Sequence, residues 1–469
     1  MIKKSKATSC SSSFRDCSGR VYFAEDSVLR TINDNYKPHY ERCEESGFFK
    51  EAISSGLLLD FSEVSPILNS WKTISASYLP FVSYPYEWCF GQLKDAALHT
   101  LDLLDLSLKH GLVLKDASAY NVVFCGAKPL FVDTLSFEIK EEGKPWQAYL
   151  QFCQHFLAPL ALQAKNNIVL SKMLCLWIDG VPLDIASNLL PIITKFSPSL
   201  AMHIHLHAKF QKKYLDVKDV GEKVNNIKLP ENALLNLSKS LRNAINGLAL
   251  STKISTQWGD YYSDTNYSKK AYDDKLHCLE NFAVKYADVN KVAIDVGANE
   301  GLYSYHLSKY FKHVLAVDMD YLAVEKLYQR LKNENNKNIT PLVFDLCNPS
   351  PAIGFANKER LCLPDRVKPI YLSALALVHH LVFGGGIPLD KIADCFFDLL
   401  DDGGVCVLEF VPIDDSQVVR LLKARDIAKL PQYSLDVCLD AFDGKFALLE
   451  KHDIDDSKRT ILVFKKVLK

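Results

Sequence analysis

The chain has 469 residues, 48% hydrophobic and 24% charged, which is the composition of a folded globular protein rather than a disordered, fibrous or collagen-like one. Lysine and arginine total 55 against 56 aspartates and glutamates, so the net charge is -1 and supplies no field for non-specific nucleic-acid binding. The length predicts two or three domains. No run of about 18 apolar residues appears, so no membrane partner is expected. The charged N-terminal stretch has no apolar core behind it and does not read as a secretory signal. The 13 cysteines include no CxxC pair and no zinc-site spacing. Several lie in apolar strings, such as Cys153 and Cys406, which fits reduced thiols in a cytoplasmic protein better than a disulfide scaffold.

Residues 1–17, rich in Ser and Lys, read as a disordered tail. Arg20–Phe23 and Val28–Ile32 read as a hairpin turning at Glu25-Asp26. Helical patterns then alternate with short strands to about residue 160, and residues 160–250 read as mostly helical. Trp146, Tyr149, Phe152 and Phe156 recur at three- and four-residue spacing, which predicts one buried helix face. The loop Gln257–Ser268 is rich in Trp, Tyr and Asp. Its Trp258, Tyr261, Tyr262 and Tyr267 either wall a ligand or anchor a domain link. Beyond it the texture changes. The runs VAIDVG, VLAVDM, TPLVFD, IYLSALAL and GVCVLEFV alternate with helical segments, which predicts a doubly wound parallel sheet.

Ile294–Leu307, IDVGANEGLYSYHL, is the strongest local signal: a β-branched strand ends in an acid, turns through two glycines and enters a helix. Gly297 and Gly301 are four apart, unlike the dinucleotide fingerprint. The Lys and Ser/Thr of a phosphate loop are missing, so a ligand without phosphates is favoured. Acids follow at the ends of the next two strands, Asp318 and Asp345. An acid at the second strand end suits two ribose hydroxyls; Asp320 is a weaker candidate for that role. His379 and His380, after the fourth strand, either line an acceptor pocket, act as a general base, or close the strand end by hydrogen bonding.

This ordered set resembles the class I S-adenosylmethionine-dependent methyltransferases. The resemblance implies a seven-stranded sheet closed by an antiparallel pair, Phe446–Asp453 and Arg459–Lys466. It implies S-adenosylmethionine as cofactor, held by Asp295 near the amino acid moiety, by Gly297, Asn299 and Gly301, by Asp318 on the ribose, and by Asp345 and the Leu346 backbone at the adenine. No Asn-Pro-Pro-aromatic tetrad follows the fourth strand, which counts against an adenine or glutamine-amide acceptor.

Residues 109–137 carry Asp116, Asn121 and Asp133. Their spacing resembles the catalytic loop and metal-binding acid of the protein kinase and aminoglycoside phosphotransferase superfamily. That likeness implies an α+β kinase-like N-terminal domain. It departs from the pattern in having no Gly-rich loop, and Arg30 stands on the strand where that family places a lysine. Taken from about Gly19 to the end, the LKDASAYN tract, the Trp146–Leu160 segment and the C-terminal motifs resemble methyltransferases related to host-specific nodulation proteins. The expected organisation is therefore a tail over 1–17, a degenerate kinase-like domain over 18–215, a helical connector over 216–257 and a methyltransferase domain over 258–469. The expected activity is methyl transfer to a small molecule or carbohydrate, without nucleic-acid, metal or membrane partners. An ATP-dependent phosphotransferase, or a non-catalytic kinase-like scaffold, is the alternative.

Overall fold

The computed structural model describes residues 7–25, 27–215, 229–251, 268–423 and 430–467. They form two compact units. Unit 1 comprises Met1–Phe124, Lys128–Ile254 and Ala352–Leu361; unit 2 comprises Cys125–Ala127, Ser255–Pro351 and Cys362–Lys469.

Unit 1 opens on an antiparallel sheet of β1 (Thr8–Ser9), β2 (Val21–Phe23), β3 (Ser27–Ile32), β4 (Phe61–Val64) and β5 (Lys72–Ser77), ordered β1-β2-β3-β5-β4. Helices α1 (Lys37–Glu45) and α2 (Phe48–Ser54) join β3 to β4. Pro at the first turn of α1 pre-sets its backbone angle, and Gly47 at φ 77° makes the bend into α2. The long α3 (Phe90–Lys109) places Leu93, Ala97, Leu101 and Leu104 on one face, all fully buried, so packing rather than propensity secures it. It leads into two small ribbons, β6 (Leu112–Leu114) with β9 (Phe137–Ile139), and β7 (Val122–Cys125) with β8 (Lys128–Phe131).

The helical run over 149–165 contains a π-turn at Cys153–Leu157. Trp146, Phe152 and Phe156 are buried there as one face, and the Trp146 indole donates to the Leu114 carbonyl at 2.6 Å. Tyr149 instead stacks on His207, with ring centroids 4.8 Å apart. The helices α4 (Leu183–Leu189), α5 (His207–Leu215) and α6 (Ala233–Asn246) follow.

Two expectations are corrected in this unit. Residues 7–17 are not a free tail. Thr8–Ser9 pairs with β2, and the Arg15 guanidinium grips Glu359 at 2.7 and 3.0 Å, where the buried carboxylate gains a charge-assisted fork. Nor is α6 a connector. Its Arg242 pairs with Asp102 and Asp105 of α3 at 2.8 and 2.9 Å, and its Leu241 and Ile245 are fully buried. Residues 1–6, 216–228 and 252–257 of the expected tail and connector lie outside the described residues.

Unit 2 begins with α7 (Lys269–Lys285) and is built on seven strands: β10 (Asp288–Val296), β11 (Phe311–Asp318), β12 (Ile339–Val343), β13 (Tyr371–Ala374), β14 (Val405–Phe410), β15 (Phe446–Asp453) and β16 (Thr460–Lys466). Their order is β12-β11-β10-β13-β14-β16-β15, parallel except that β16 runs against both neighbours. This is the α/β methyltransferase fold that the motif order implied. The other parallel strands, β11 to β14, are buried over nearly their whole length, hence their mainly apolar residues, interrupted by a few polar ones such as Thr340, Ser373 and Glu409. Helix α8 (Leu302–Leu307) connects β10 to β11, and α9 (Tyr321–Asn333) connects β11 to β12.

Strands are added on one side of β10 as far as β12 and then on the other side from β13, so the order reverses between β10 and β13. Ligand crevices of open α/β sheets lie at such a reversal, beyond the carboxyl ends of the strands. The fourth strand is shorter than expected. It stops at Ala374, Ala376 turns through a left-handed φ of 49°, and α10 (Val378–Gly385) begins. Both histidines therefore lie in the first turn of a helix rather than on an extended strand. Gly386 at φ 68° ends that helix, and Pro388 caps the next.

Candidate functional site

The parallel register aligns Asp295 with Ala316 and Asp318 with Val343, so β10, β11 and β12 end together at one edge. The turn after β10 is folded back on β11, with Gly297 and Ala298 both donating to the Val317 carbonyl. Gly297 and Gly301 have φ of 77° and 75°, angles that side-chain-bearing residues avoid. A Cβ at Gly301 would come within 2.6 Å of the Leu327 side chain, and one at Gly297 within 3.3 Å of Leu377. Both glycines are thus favoured by their angles, and a side chain at Gly301 would in addition have to displace Leu327. Asn299 also sits at positive φ, 50°, a conformation Asn tolerates.

Asp318 closes β11. Its two carboxylate oxygens each accept a backbone N–H at 2.8 Å, from Asn299 and from Asp320. The side chain therefore ties the glycine turn to its own strand end. Burial raises its pKa from 3.8 to about 6, against the lowering pull of those two hydrogen bonds. Asp320, the weaker ribose candidate, is the cap of α9 and accepts the Leu322 and Ala323 N–H groups at 2.9 and 3.1 Å. Asp345 follows β12 and accepts the Cys347 N–H at 2.9 Å; it and Leu346 are only half-buried. Phe344 N–H reaches the Asp318 carbonyl at 2.8 Å, which brings this third acid beside the second.

Asp295 differs. It is buried, and its carboxylate accepts Ser304 and Ser373 hydroxyls at 2.6 Å each. Burial raises its pKa while those hydroxyls lower it. It faces the sheet interior, holding α8 and β13 to β10.

His379 is buried and His380 partly so, with ring centroids 4.0 Å apart. Burial drives both pKa values down, His380 to about 4, helped at His379 by His380 and at both by the Arg459 guanidinium. Both imidazoles are therefore neutral at physiological pH. Arg459 belongs to a buried ionic network absent from the motif reading. It contacts Asp415 at 2.9 Å and Glu409 at 3.4 Å, and Glu409 takes Lys275 at 2.6 Å. The one sequence signal was Glu409 standing inside an apolar strand. Trp258, Tyr261, Tyr262 and Tyr267 lie outside the described residues.

In unit 1, Asp116, Asn121 and Asp133 do come together. The Asn121 amide reaches the Asp116 carbonyl at 3.5 Å and the Ser136 hydroxyl at 3.3 Å, and Ser136 bonds Asp133. Arg30 of β3 pairs with Asp133 at 2.7 Å, and Gln151 donates to Asp116 at 2.8 Å.

No protein-family model matches the chain. Nodulation protein NoeA of Rhizobium meliloti (strain 1021) is 32% identical over 464 residues, covering 97% of this chain and 95% of that protein. The chain belongs to the NoeA family. Among solved structures, this NoeA-family chain overlaps the N-methyltransferase NodS of Bradyrhizobium japonicum WM9 at 13% identity and a TM-score of 0.33, covering 43% of this chain and 99% of that one. Magnesium protoporphyrin IX methyltransferase of Synechocystis PCC 6803 overlaps at 14% identity and a TM-score of 0.31, covering 45% and 89%. Overlaps this slight add nothing to the strand order and side chains of unit 2.

Proposed function

We propose that this chain is an S-adenosylmethionine-dependent methyltransferase acting on a small molecule or carbohydrate. One observation carries the reading. Beside the reversal of strand order, a turn held open by Gly297 and Gly301 is pinned by the Asp318 carboxylate of the neighbouring strand. That donor set fits the cofactor: an acceptor for two ribose hydroxyls, a half-buried Asp345 and Leu346 for an adenine, and a turn whose sequence lacks the Lys and Ser/Thr of a phosphate loop. The cofactor, when bound, supplies a methyl group activated on a sulfonium sulfur. Asp318 would hold the ribose, Asp345 the adenine amine, and the Gly297–Gly301 backbone the amino acid end, with Asn299 in the turn. Asp295 shapes that turn from behind, through Ser304 and Ser373. The near-neutral net charge favours a small or carbohydrate acceptor over nucleic acid. The test is a thermal shift by the full chain with S-adenosylhomocysteine and, separately, magnesium-ATP. Ligand at about a hundredfold over its Kd stabilises the native state by about 2.7 kcal/mol. A rise with the first and none with the second is expected; no rise with the first sinks the reading.

His379 and His380 we assign to the acceptor side as lining groups. Held neutral, they can orient an acceptor O–H or N–H but are weak bases. Single-turnover methyl transfer by His379→Ala is expected to slow while cofactor affinity stays intact. With cofactor saturating, so that Asp318 does not enter, no step near pH 6.5, the ordinary histidine value, should appear in the single-turnover rate, because His380 is held near 4 and His379 lower than its ordinary value too. Wild-type rates in folded variants of both histidines would remove them from the site.

Unit 1 we read as a kinase-like scaffold without turnover, because the Arg30 guanidinium already neutralises the acid that would hold magnesium. The full chain is expected to show no magnesium-dependent ATP hydrolysis. A hydrolysis rate that disappears in Asp133→Ala would restore the phosphotransferase alternative.

A further inference from the structure

Unit 1 carries an apolar surface that the site does not use. Residues 192–196 form a single tight turn after α4. Its Ile192, Ile193 and Phe196 are 73%, 71% and 79% exposed, although burial of such side chains is strongly favoured. The turn is not loose. Thr194 is buried at its centre and bonds the His205 imidazole at 2.9 Å, and the other nitrogen of that ring meets Ser187 of α4 at 2.8 Å. His205 lies in the helical turn Ala201–Leu206 that runs into α5. The next face of that helix is apolar as well: Met202, Leu206 and Phe210, four residues apart, are 48–52% exposed. One fixed platform therefore presents six large apolar side chains outward. Contiguous apolar surface of that kind marks an interaction site.

The charges beside it identify the occupant. Lys195 and Lys209, each adjacent to an exposed phenylalanine, are themselves exposed. From Lys165 to Lys213 the sequence has six lysines, two aspartates, and no arginine or glutamate, in a chain whose net charge is -1. Ile192, Ile193 and Phe196, each more than 70% exposed, stand largely free of neighbouring side chains. Projecting apolar tips flanked by lysines match the acyl–headgroup boundary of an anionic bilayer. No helix among the described residues is long and apolar enough to cross a membrane, so this contact would be peripheral.

We propose that the 192–210 face of unit 1 docks the chain onto an anionic phospholipid surface, with Ile192, Ile193 and Phe196 entering the interface and Lys195 and Lys209 pairing with headgroups. The test is flotation of the full chain with vesicles of phosphatidylcholine alone and of equimolar phosphatidylcholine and phosphatidylglycerol. Binding is expected only to the mixed vesicles. It should weaken between ~0.1 M and ~1 M salt, as the screening length falls from about 10 Å to about 3 Å. Ile193→Ser with Phe196→Ser should reduce binding by about tenfold or more, and Lys195→Glu with Lys209→Glu should abolish the preference for the anionic lipid. Because these side chains are exposed, an unchanged thermal transition is the control on folding. The single variant Phe196→Trp gives a second readout: its emission should shift to the blue on mixed vesicles. Failure to bind mixed vesicles overturns the proposal. So does equal binding to both lipids, or binding that the variants leave intact. A dimer in sedimentation, dissolved by Phe196→Ser without any vesicle binding, would assign the face to a second copy instead.

Discussion

Arg459→Met is expected to destabilise unit 2 by about 3–5 kcal/mol, the usual cost of breaking a buried ion pair from one side. Arg459 is 2% exposed and Glu409 fully buried, so water cannot replace the lost partner. The guanidinium bonds both oxygens of Asp415, at 2.9 and 3.3 Å, and also reaches Glu409. Lys275 of α7 meets the other oxygen of Glu409. Two cations and two carboxylates thus join α7, the end of β14, the segment after it and the start of β16. Methionine fills much of the same volume but leaves two buried carboxylates to one lysine. Calorimetry should show the unit 2 transition falling by about 10 °C, since each kcal/mol shifts a domain of this size by about 2–4 °C. Arg459→Lys keeps the charge but loses the fork, and is expected to fall between wild type and Met. A Met variant within about 0.5 kcal/mol of wild type would show that the network contributes specificity rather than stability.

That network also shows where reading a sequence stops. The parallel strands were legible because burial on both faces forces continuous apolar runs. The Gly297–Gly301 turn was legible because its positive φ angles favour glycine. Asp318 and Asp345 were legible because strand ends are fixed once the runs are found. Glu409 inside an apolar strand signalled a buried charge, but which remote residues would partner it was not legible. Glu409 meets Lys275 across 134 positions and Arg459 across 50. Asp295 meets Ser373 across 78, so an acid that the methyltransferase resemblance assigned to the cofactor turns inward. ALVHHL, an apolar run with two histidines, is compatible with strand or helix, and the left-handed Ala376 that decides the matter carries no sequence mark. The helix over 233–246 shows amphipathic spacing, but which element its face meets is settled only by α3.

Asp318 gives the sharpest test of the proposed cofactor site, because it predicts a pH dependence as well as a loss. Its folded pKa, about 6, lies above the ordinary 3.8, and burial is the main cause. In the unliganded protein the ionised form is therefore disfavoured. Stability from this group is fullest below about pH 4 and declines as pH rises through about 6, by about 3 kcal/mol in all. Ribose hydroxyls donate to the ionised form, so binding must release a proton wherever the acid is protonated. Affinity for S-adenosylhomocysteine should then rise up to tenfold per pH unit below about 6 and level off above it. Asp318→Ala should cost about 1–3 kcal/mol of binding, roughly 5- to 150-fold in Kd, and should flatten the profile. The variant also strands the Asn299 and Asp320 N–H groups while removing a buried charge. Those two effects oppose each other in stability, so the fold should survive the change. Calorimetric titration of both proteins between about pH 5 and pH 8 reads the outcome directly. An unchanged Kd in folded Asp318→Ala, or the same slope in both proteins, would remove this carboxylate from the ribose and with it the residue on which the methyltransferase reading most depends.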